Sequence, residues 1–315
     1  IFAFSVKVCY NIILELKKIN RRDFEDIKQH LIAKVEEGVA VKIVHDKLIN
    51  LKLKKELINN GIKVYRFSKH NTLGGVYANL RNQIVIDGKT LYIVNTNVKS
   101  CQEEFCDKSE VILKLYGEIV EEIDIVAHQD YVFASGKFME YTPAEKTGIN
   151  GKCQMQYIAN EFSTDIELLI IKAICSAKKS IQLELEEFIP TESIMSLLRF
   201  AINSNIEVRL MVPLKTNKHG KYFASRAYAK ELALMGANVY LYDGYINFKG
   251  IVIDNEYVLY GAFSMDREHI RMGIQSAILF KDVKVVEHFN KLFDKDINNS
   301  YRINNAKYML LREKF

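Results

Sequence analysis

The tetrad Ile-Val-Ile-Asp occurs twice, as Ile84–Asp87 behind Leu80-Arg81-Asn82-Gln83 and as Ile251–Asp254 behind Asn247-Phe248-Lys249-Gly250. A repeat at long range constrains the fold more than any composition does, because it predicts two copies of one unit. Followed backward at the same separation, "GVAVKIV" from Gly38 falls on "NIEVRLM" from Asn205. Both alternate as strands behind a helix. A second pair, "GIKVYRF" from Gly61 and "GANVYLY" from Gly236, matches at a slightly different separation, which an insertion in the intervening loop accounts for. Each opens on a glycine suited to end a helix and then runs on as a strand. Each half therefore reads helix, strand, helix, strand, helix, strand, and then a short strand carrying the tetrad, which is an α/β alternation.

The segment "YTPAEKTGINGK" from Tyr141 holds a Pro and two Gly and is the expected linker. It sets a first half over 1–140 and a second over 152–315. From Val283 the apolar residues Val285, Val286, Phe289, Leu292 and Phe293 recur at helical spacing. A length of 315 residues, 49% of them hydrophobic, is ample for two cores. The net charge of +5 fits attraction to phosphates or an anionic membrane surface and is far from that of a nucleic-acid tail. The five cysteines are Cys9, Cys101, Cys106, Cys153 and Cys175, with no C-x-x-C, and read as reduced thiols of a cytosolic setting. No stretch approaches the roughly 18 apolar residues that span a bilayer. The chain starts on Ile as if inside an element, so an upstream segment, with a membrane anchor among the options, is expected beyond it.

The second copy reads Asn247-x-Lys249, four residues, Asp254, six residues, Gly261, and then "SMDRE" from Ser264. This resembles the H-x-K-x4-D-x6-G pattern of the phospholipase D superfamily. "FIPTESIMSLLRFAINSNIEVRLMVPLKTNK" from Phe188, "YAKELALMGANVYLYDGYI" from Tyr228, "FDKDINNS" from Phe293 and "NLRNQIVIDGKTLYIVNTN" from Asn79 are similar to bacterial cardiolipin synthases. The resemblance covers nearly the whole chain, in order. It implies two pseudo-two-fold related α/β/α halves, each a mixed, mostly parallel sheet flanked by helices, whose equivalent strand ends meet at a shared cleft. The implied activity is phosphatidyl transfer between two phosphatidylglycerols, with no metal and no cofactor. One histidine would attack phosphorus and another would move protons. A lysine from each half would hold the phosphate oxygens.

Carried over position by position, the pattern is degenerate. The second half has Asn247 at the histidine place and keeps Lys249 and Asp254; Ser264 stands at the family Asn and Gln275 at the downstream Glu. The first half has Leu80 for histidine and Asn82 for lysine, keeps Asp87 and Asn97, and has Val94 and Asn95 where paired glycines are usual. No catalytic position is intact. The expected phosphate-binding set is Lys249, Asn82, Asn97, Asn247 and Ser264. Two readings stand for Asp87 and Asp254: orienting that cluster, or satisfying buried donors. Substitute imidazoles could come from His45, His70, His128, His219 or His269. A basic loop, "LKTNKHGKYFASR" from Leu214, offers Lys215, Lys218, Lys221 and Arg226 with Tyr222 and Phe223, to an anionic lipid surface or to water.

The resulting expectation is a cardiolipin-synthase-like protein that handles phospholipid phosphodiesters on the cytoplasmic side of the cell membrane, impaired or inactive as an enzyme. The alternatives are an active phosphatidyltransferase using substitute residues or a partner, and a scaffold for an active synthase. Both halves in one chain, the absence of Trp and the mild charge argue against nucleic acid.

Overall fold

The computed structural model describes residues 10–17, 19, 24–67, 78–94, 107–141, 143, 151–160, 163–214, 219–267 and 269–303. The chain begins β1 (Asn11–Leu16), α1 (Glu25–Glu36), β2 (Ala40–His45), α2 (Leu51–Asn59), β3 (Lys63–Arg66), β4 (Gln83–Ile86) and β5 (Thr90–Val94). It continues β6 (Asp107–Ser109), β7 (Ile112–Tyr116), α3 (Glu118–Ser135), β8 (Gln154–Asn160), α4 (Asp165–Ser176), β9 (Ser180–Leu185), α5 (Glu192–Asn203) and β10 (Glu207–Pro213). Then come α6 (His219–Leu234), β11 (Asn238–Tyr242), β12 (Gly244–Ile246), β13 (Lys249–Ile253) and β14 (Tyr257–Ala262). The run closes with α7 (His269–Met272), β15 (Gln275–Lys281), α8 (Val283–Ile297) and β16 (Ser300–Arg302).

Two compact units result: residues 1–100 with 112–152, and residues 101–111 with 153–315. One of the divisions lies between Lys152 and Cys153; most of the expected linker, 141–152, lies outside the described residues. The assignment of 101–111 to the second unit has no counterpart in the sequence reading.

The first unit's sheet has the order β3-β2-β1-β4-β5-β7, and the second unit's has β16-β11-β10-β9-β13-β14-β15-β8. Stripped of its two edge strands, the second is the first repeated. In each, the tetrad strand lies beside the first central strand, with Ile12 opposite Ile86 and Ile181 opposite Ile253. A strand flanked on both sides inside a helix-covered sheet must be apolar on both faces, which is why Ile84–Ile86 and Ile251–Ile253 are buried throughout.

Both sheets are mixed, but the expectation of mostly parallel strands is corrected. Only β1-β2, β2-β3, β9-β10 and β10-β11 pair in parallel within them, and every other pairing is antiparallel. For β4–β5 and β13–β14 the cause is the turn after each tetrad. Asp87 and Gly88 have φ of 53° and 62°, and Asp254 and Asn255 have 52° and 57°. Lys89 N–H donates to Ile86 O at 3.0 Å and Glu256 N–H to Ile253 O at 2.9 Å. Two left-handed residues closed in this way make the tight hairpin turn, and a tight hairpin joins antiparallel strands only.

Helix ends follow the sequence cues. Gly61 and Gly236 take φ of 82° and 109° just past α2 and α6. Asn50 caps α2 by accepting from Lys52 and Leu53 N–H, and Asp282 caps α8 through Lys284 and Val285 N–H. α8 buries Val286, Phe289 and Phe293, three of the five residues whose spacing predicted it. Among the described residues, no helix is long and apolar enough to cross a membrane.

Candidate functional site

In the first unit the motif end of β4 has become core. Leu80, at the histidine place, is 6% exposed, and Arg81 beside it is fully buried in an ion pair with Asp130. Asn79 Nδ2 donates to Asp130 Oδ2 at 3.2 Å, and Gln83 Nε2 donates to Glu15. Burial, then the adjoining Asp130, push Glu15 well above the usual carboxylate range, against the pull of Arg81 and Gln83. Asn82, at the lysine place, is buried and accepts from Lys17 N–H at 2.7 Å. Asn97 lies outside the described residues, as do Asn95, His70, Cys9, Cys101 and Cys106.

The two motif aspartates do one and the same job. Asp87 Oδ1 accepts from Tyr10 and Asn11 N–H at 2.8 and 2.7 Å, tying the turn to the start of β1. Asp254 accepts from Lys178, Lys179 and Ser180 N–H at 2.8, 2.7 and 2.8 Å, tying the equivalent turn to the start of β9. Burial works against its charge, but those three backbone donors and Lys179 prevail and hold Asp254 below the usual carboxylate range. At about 3.3 Å per residue, Asp254 is roughly 16 Å along β13 from Lys249. These carboxylates therefore fasten the far ends of the strands, and of the two readings in the sequence the geometry supports the satisfaction of donors.

The second unit's motif end keeps polar groups within reach of water. Asn247 N–H donates to Ser109 O at 3.0 Å, and its Nδ2 donates to Glu110 Oε1 at 2.7 Å on the surface. Both partners come from the segment 101–111, whose β6 pairs in parallel with β12. Lys249 Nζ lies 3.7 Å from Glu186 Oε2, and its side chain is 12% exposed. Ser264 and Gln275 are buried and committed to each other: Ser264 N–H donates to Gln275 Oε1 at 2.6 Å, and Gln275 Nε2 donates to His269 O. Of the expected phosphate-binding set, Lys249 and Asn247 thus stand at the partly exposed motif end, while Asn82 and Ser264 are locked inside.

Beside Ser264 lies a charged cluster. Ser264 Oγ donates to Asp266 Oδ2 at 2.8 Å, and Lys221 Nζ lies 2.8 Å from the same oxygen and 3.3 Å from Glu187 Oε1. His269 Nδ1 is 2.8 Å from Asp266 Oδ1, which also accepts from His269 N–H at 2.9 Å. Burial alone would raise Asp266, but its bonds from His269 and Lys221 carry it far below the ordinary range. Burial likewise opposes the charge on Lys221, and Glu187 with Asp266 more than compensates, so it titrates above an ordinary lysine. Lys221, Tyr222, Phe223 and Arg226 belong to α6, which corrects the loop expectation for that part of the basic run; Lys215 and Lys218 lie outside the described residues. Of the other candidate histidines, the side chains of His45 and His128 are among those described. His45 is buried with Nδ1 against Lys47 O, and burial lowers its pKa. His128 Nε2 contacts Met139 O, and the side chain of His219 is not among those described.

Sequence reasoning missed Glu110, Glu186, Glu187 and Asp266. A signal existed for two of them: the run Glu184-Leu185-Glu186-Glu187 leaves the carboxyl end of an apolar strand, the edge at which open α/β sheets receive ligands.

A family model described as cardiolipin synthase, PLD-like domain, matches residues 170–297. The probable cardiolipin synthase YwiE of Bacillus subtilis (strain 168) is 28% identical over 294 residues, which cover 87% of this chain and 58% of the relative. A cardiolipin synthase of Alkalihalophilus pseudofirmus is 30% identical over 303 residues, 88% of this chain and 59% of the relative. These matches make the chain similar to the phospholipase D superfamily, cardiolipin synthase type. Among solved structures, a phosphatidylserine synthase from Haemophilus influenzae Rd KW20 aligns with a TM-score of 0.73 at 10% identity, covering 95% of this chain and 83% of that one. At such low identity the likeness concerns the phospholipase D fold. The chain spans about three fifths of the length of the curated synthases it matches.

Proposed function

We propose that this phospholipase D-type chain engages phospholipid phosphodiester headgroups at a membrane surface and does not transfer phosphatidyl groups. One observation carries the reading: neither histidine place offers a group able to attack phosphorus or move a proton. Leu80 is buried hydrocarbon, and Asn247 is an amide whose nitrogen is held by Glu110. Loss of an acid or base typically costs a factor of about 10² to 10⁴, and here both positions are replaced. The retained cation Lys249 and the resemblance to cardiolipin synthases support headgroup binding. The test is incubation of the full chain with vesicles containing phosphatidylglycerol. The expected result is retention on the vesicles without cardiolipin; cardiolipin above background overturns the reading.

A second reading, transfer through a relocated imidazole, draws on the Asp266–His269 pair, in which a carboxylate orients the ring as in many general bases. Under it the purified chain makes cardiolipin and His269→Ala abolishes the product. The same contact also caps α7, since Asp266 accepts from His269 N–H, and that use is sufficient to explain the pair.

A further inference from the structure

We infer that the turn between β2 and α2, with Leu48 and Leu51 on its outer side, is a docking surface for an anionic lipid bilayer. The inference rests on the membrane part of the proposed function and adds a contact surface, on a different unit from Lys249.

Leu48 is 78% exposed and Leu51 74%, against 0% for Leu53 two residues on. Scattered exposed leucines are ordinary on a protein surface, but these two are held outward by a fixed turn. Ile49 between them is buried, and Asn50 caps α2 by accepting from Lys52 and Leu53 N–H at 3.0 and 3.2 Å. At the base of the turn, Asp46 and Lys47 N–H donate to Leu16 O and Lys17 O at 3.3 and 3.0 Å. Neither leucine can fold inward without undoing the cap and these bonds, so only an apolar phase from outside the chain can take them out of water.

The surrounding charge decides what that phase is. Residues 47–55 include Lys47, Lys52, Lys54 and Lys55 and no acid. Lys47, Lys52 and Lys55 are exposed, and the next acid, Glu56, is held by Lys28 at 2.5 Å. The buried centre of a protein–protein interface is depleted of lysine, which argues against a protein on this surface. A bilayer with anionic headgroups suits it: the leucines enter the acyl boundary while the lysine heads stay among the phosphates. The place in the fold agrees. The turn follows the carboxyl end of β2, and Lys17, whose carbonyl accepts from Lys47, gives its own N–H to Asn82 Oδ1 at 2.7 Å. The leucines therefore stand on the sheet edge that carries the first motif, the edge a lipid-handling fold has to present to its membrane.

The chain holds no Trp, so Leu51→Trp gives the full chain a single indole. Its emission is read with vesicles of phosphatidylcholine alone and with vesicles of equimolar phosphatidylcholine and phosphatidylglycerol. The expected result is a blue shift, and quenching by brominated acyl chains, on the anionic vesicles only. In co-sedimentation, the double variant Leu48→Ser, Leu51→Ser, checked for folding by circular dichroism, should bind the anionic vesicles about tenfold or more weakly than the unaltered chain. An indole that keeps its emission in water, or one that shifts equally on both vesicles, overturns the inference. Retention that falls with the serines and not with Lys249→Ala supports it and overturns headgroup engagement at the motif. Retention that falls with Lys249→Ala and not with the serines overturns it and leaves the headgroup reading in place. No retention of the unaltered chain on either vesicle overturns both.

Discussion

The two units bury the same awkward pair of groups and dispose of it differently. Glu15 on β1 and Glu184 on β9 occupy matching positions, and each hydrogen-bonds a second buried carboxyl group near the end of its unit's last long helix, Asp130 on α3 and Asp296 on α8. In the first unit the fully buried Arg81 enters between them. In the second, that place in the motif is Phe248, packed against Tyr260 and Phe289, and Glu184 receives only a hydroxyl, from Ser109 at 3.3 Å. Burial and the nearby Asp296 push Glu184 well above the usual carboxylate range. Both glutamates are pushed up by burial and the neighbouring acid; in the first copy a guanidinium pulls against that shift, and in the second a serine hydroxyl does. The guanidinium also consumes the motif end of β4, turning it into core, whereas the second copy leaves Asn247 and Lys249 accessible. The two histidine places are therefore occupied differently: Leu80 is buried and Asn247 is partly exposed.

Arg81→Met breaks the comparison most forcefully. It strands two carboxyl groups in a dry interior and should cost about 3–5 kcal/mol in denaturant unfolding of the first unit. A loss under about 1 kcal/mol would mean that Glu15 and Asp130 manage without the arginine, as the second unit's pair does. Next comes Gly261→Ala. An added Cβ would meet Ser276 O at 2.4 Å and Ala277 Cα at 2.6 Å, both backbone, so the strand must shift. A cost of about 1–3 kcal/mol is expected, although the matching place in the first unit accepts Val94.

The raised pKa of Glu184 gives a pH signature. Its folded-state pKa lies above its unfolded value, near 4.5. The stabilisation is complete below about pH 4.5 and fades as pH rises through the folded pKa. Glu184→Gln should flatten this dependence and raise the unfolding midpoint at neutral pH, by about 1 kcal/mol or more; an unchanged pH profile would count against a retained proton. Asp254 has the opposite sign. Its contribution is present above its unfolded pKa, near 3.8, and is lost as pH falls through the lower folded value. Asp254→Asn should cost about 1 kcal/mol and Asp87→Asn somewhat less, because three backbone donors depend on the first and two on the second. The smallest effect is expected for Lys249→Ala, within about 0.5 kcal/mol in stability yet with clear loss of headgroup binding. A large loss of stability there would assign the lysine to the fold.

Local patterns carried most of the architecture. The apolar tetrads, the glycines Gly61 and Gly236 and the spacing in α8 each act within a few residues, and each was readable. The hairpins were also readable, since Asp87-Gly88 is a turn dipeptide, but the expectation of parallel strands overrode it. Glu15 and Glu184 escaped because "LEL" and "LEL" look like strands with one wet face, and only the covering helix makes that face dry. The pairing of β6 with β12 escaped for a different reason: Asp107–Ser109 finds its partner more than a hundred residues away, and three residues carry no periodicity. One of the site's missed carboxylates follows from that, as Glu110 arrives only through this pairing.

The pairing of β6 has a consequence for dissecting the molecule. A fragment cut at the glycine-containing connector, beginning near Cys153, would lack the donated strand. The edge of β12 would lie bare, Tyr260 would lose the Val111 carbonyl that accepts its hydroxyl at 2.7 Å, and Asn247 would lose both its partners. The duplication is thus legible as two modules and yet cannot be separated into two self-sufficient pieces; a viable second piece would have to carry residues 101–111 back to it as a fused or co-produced peptide.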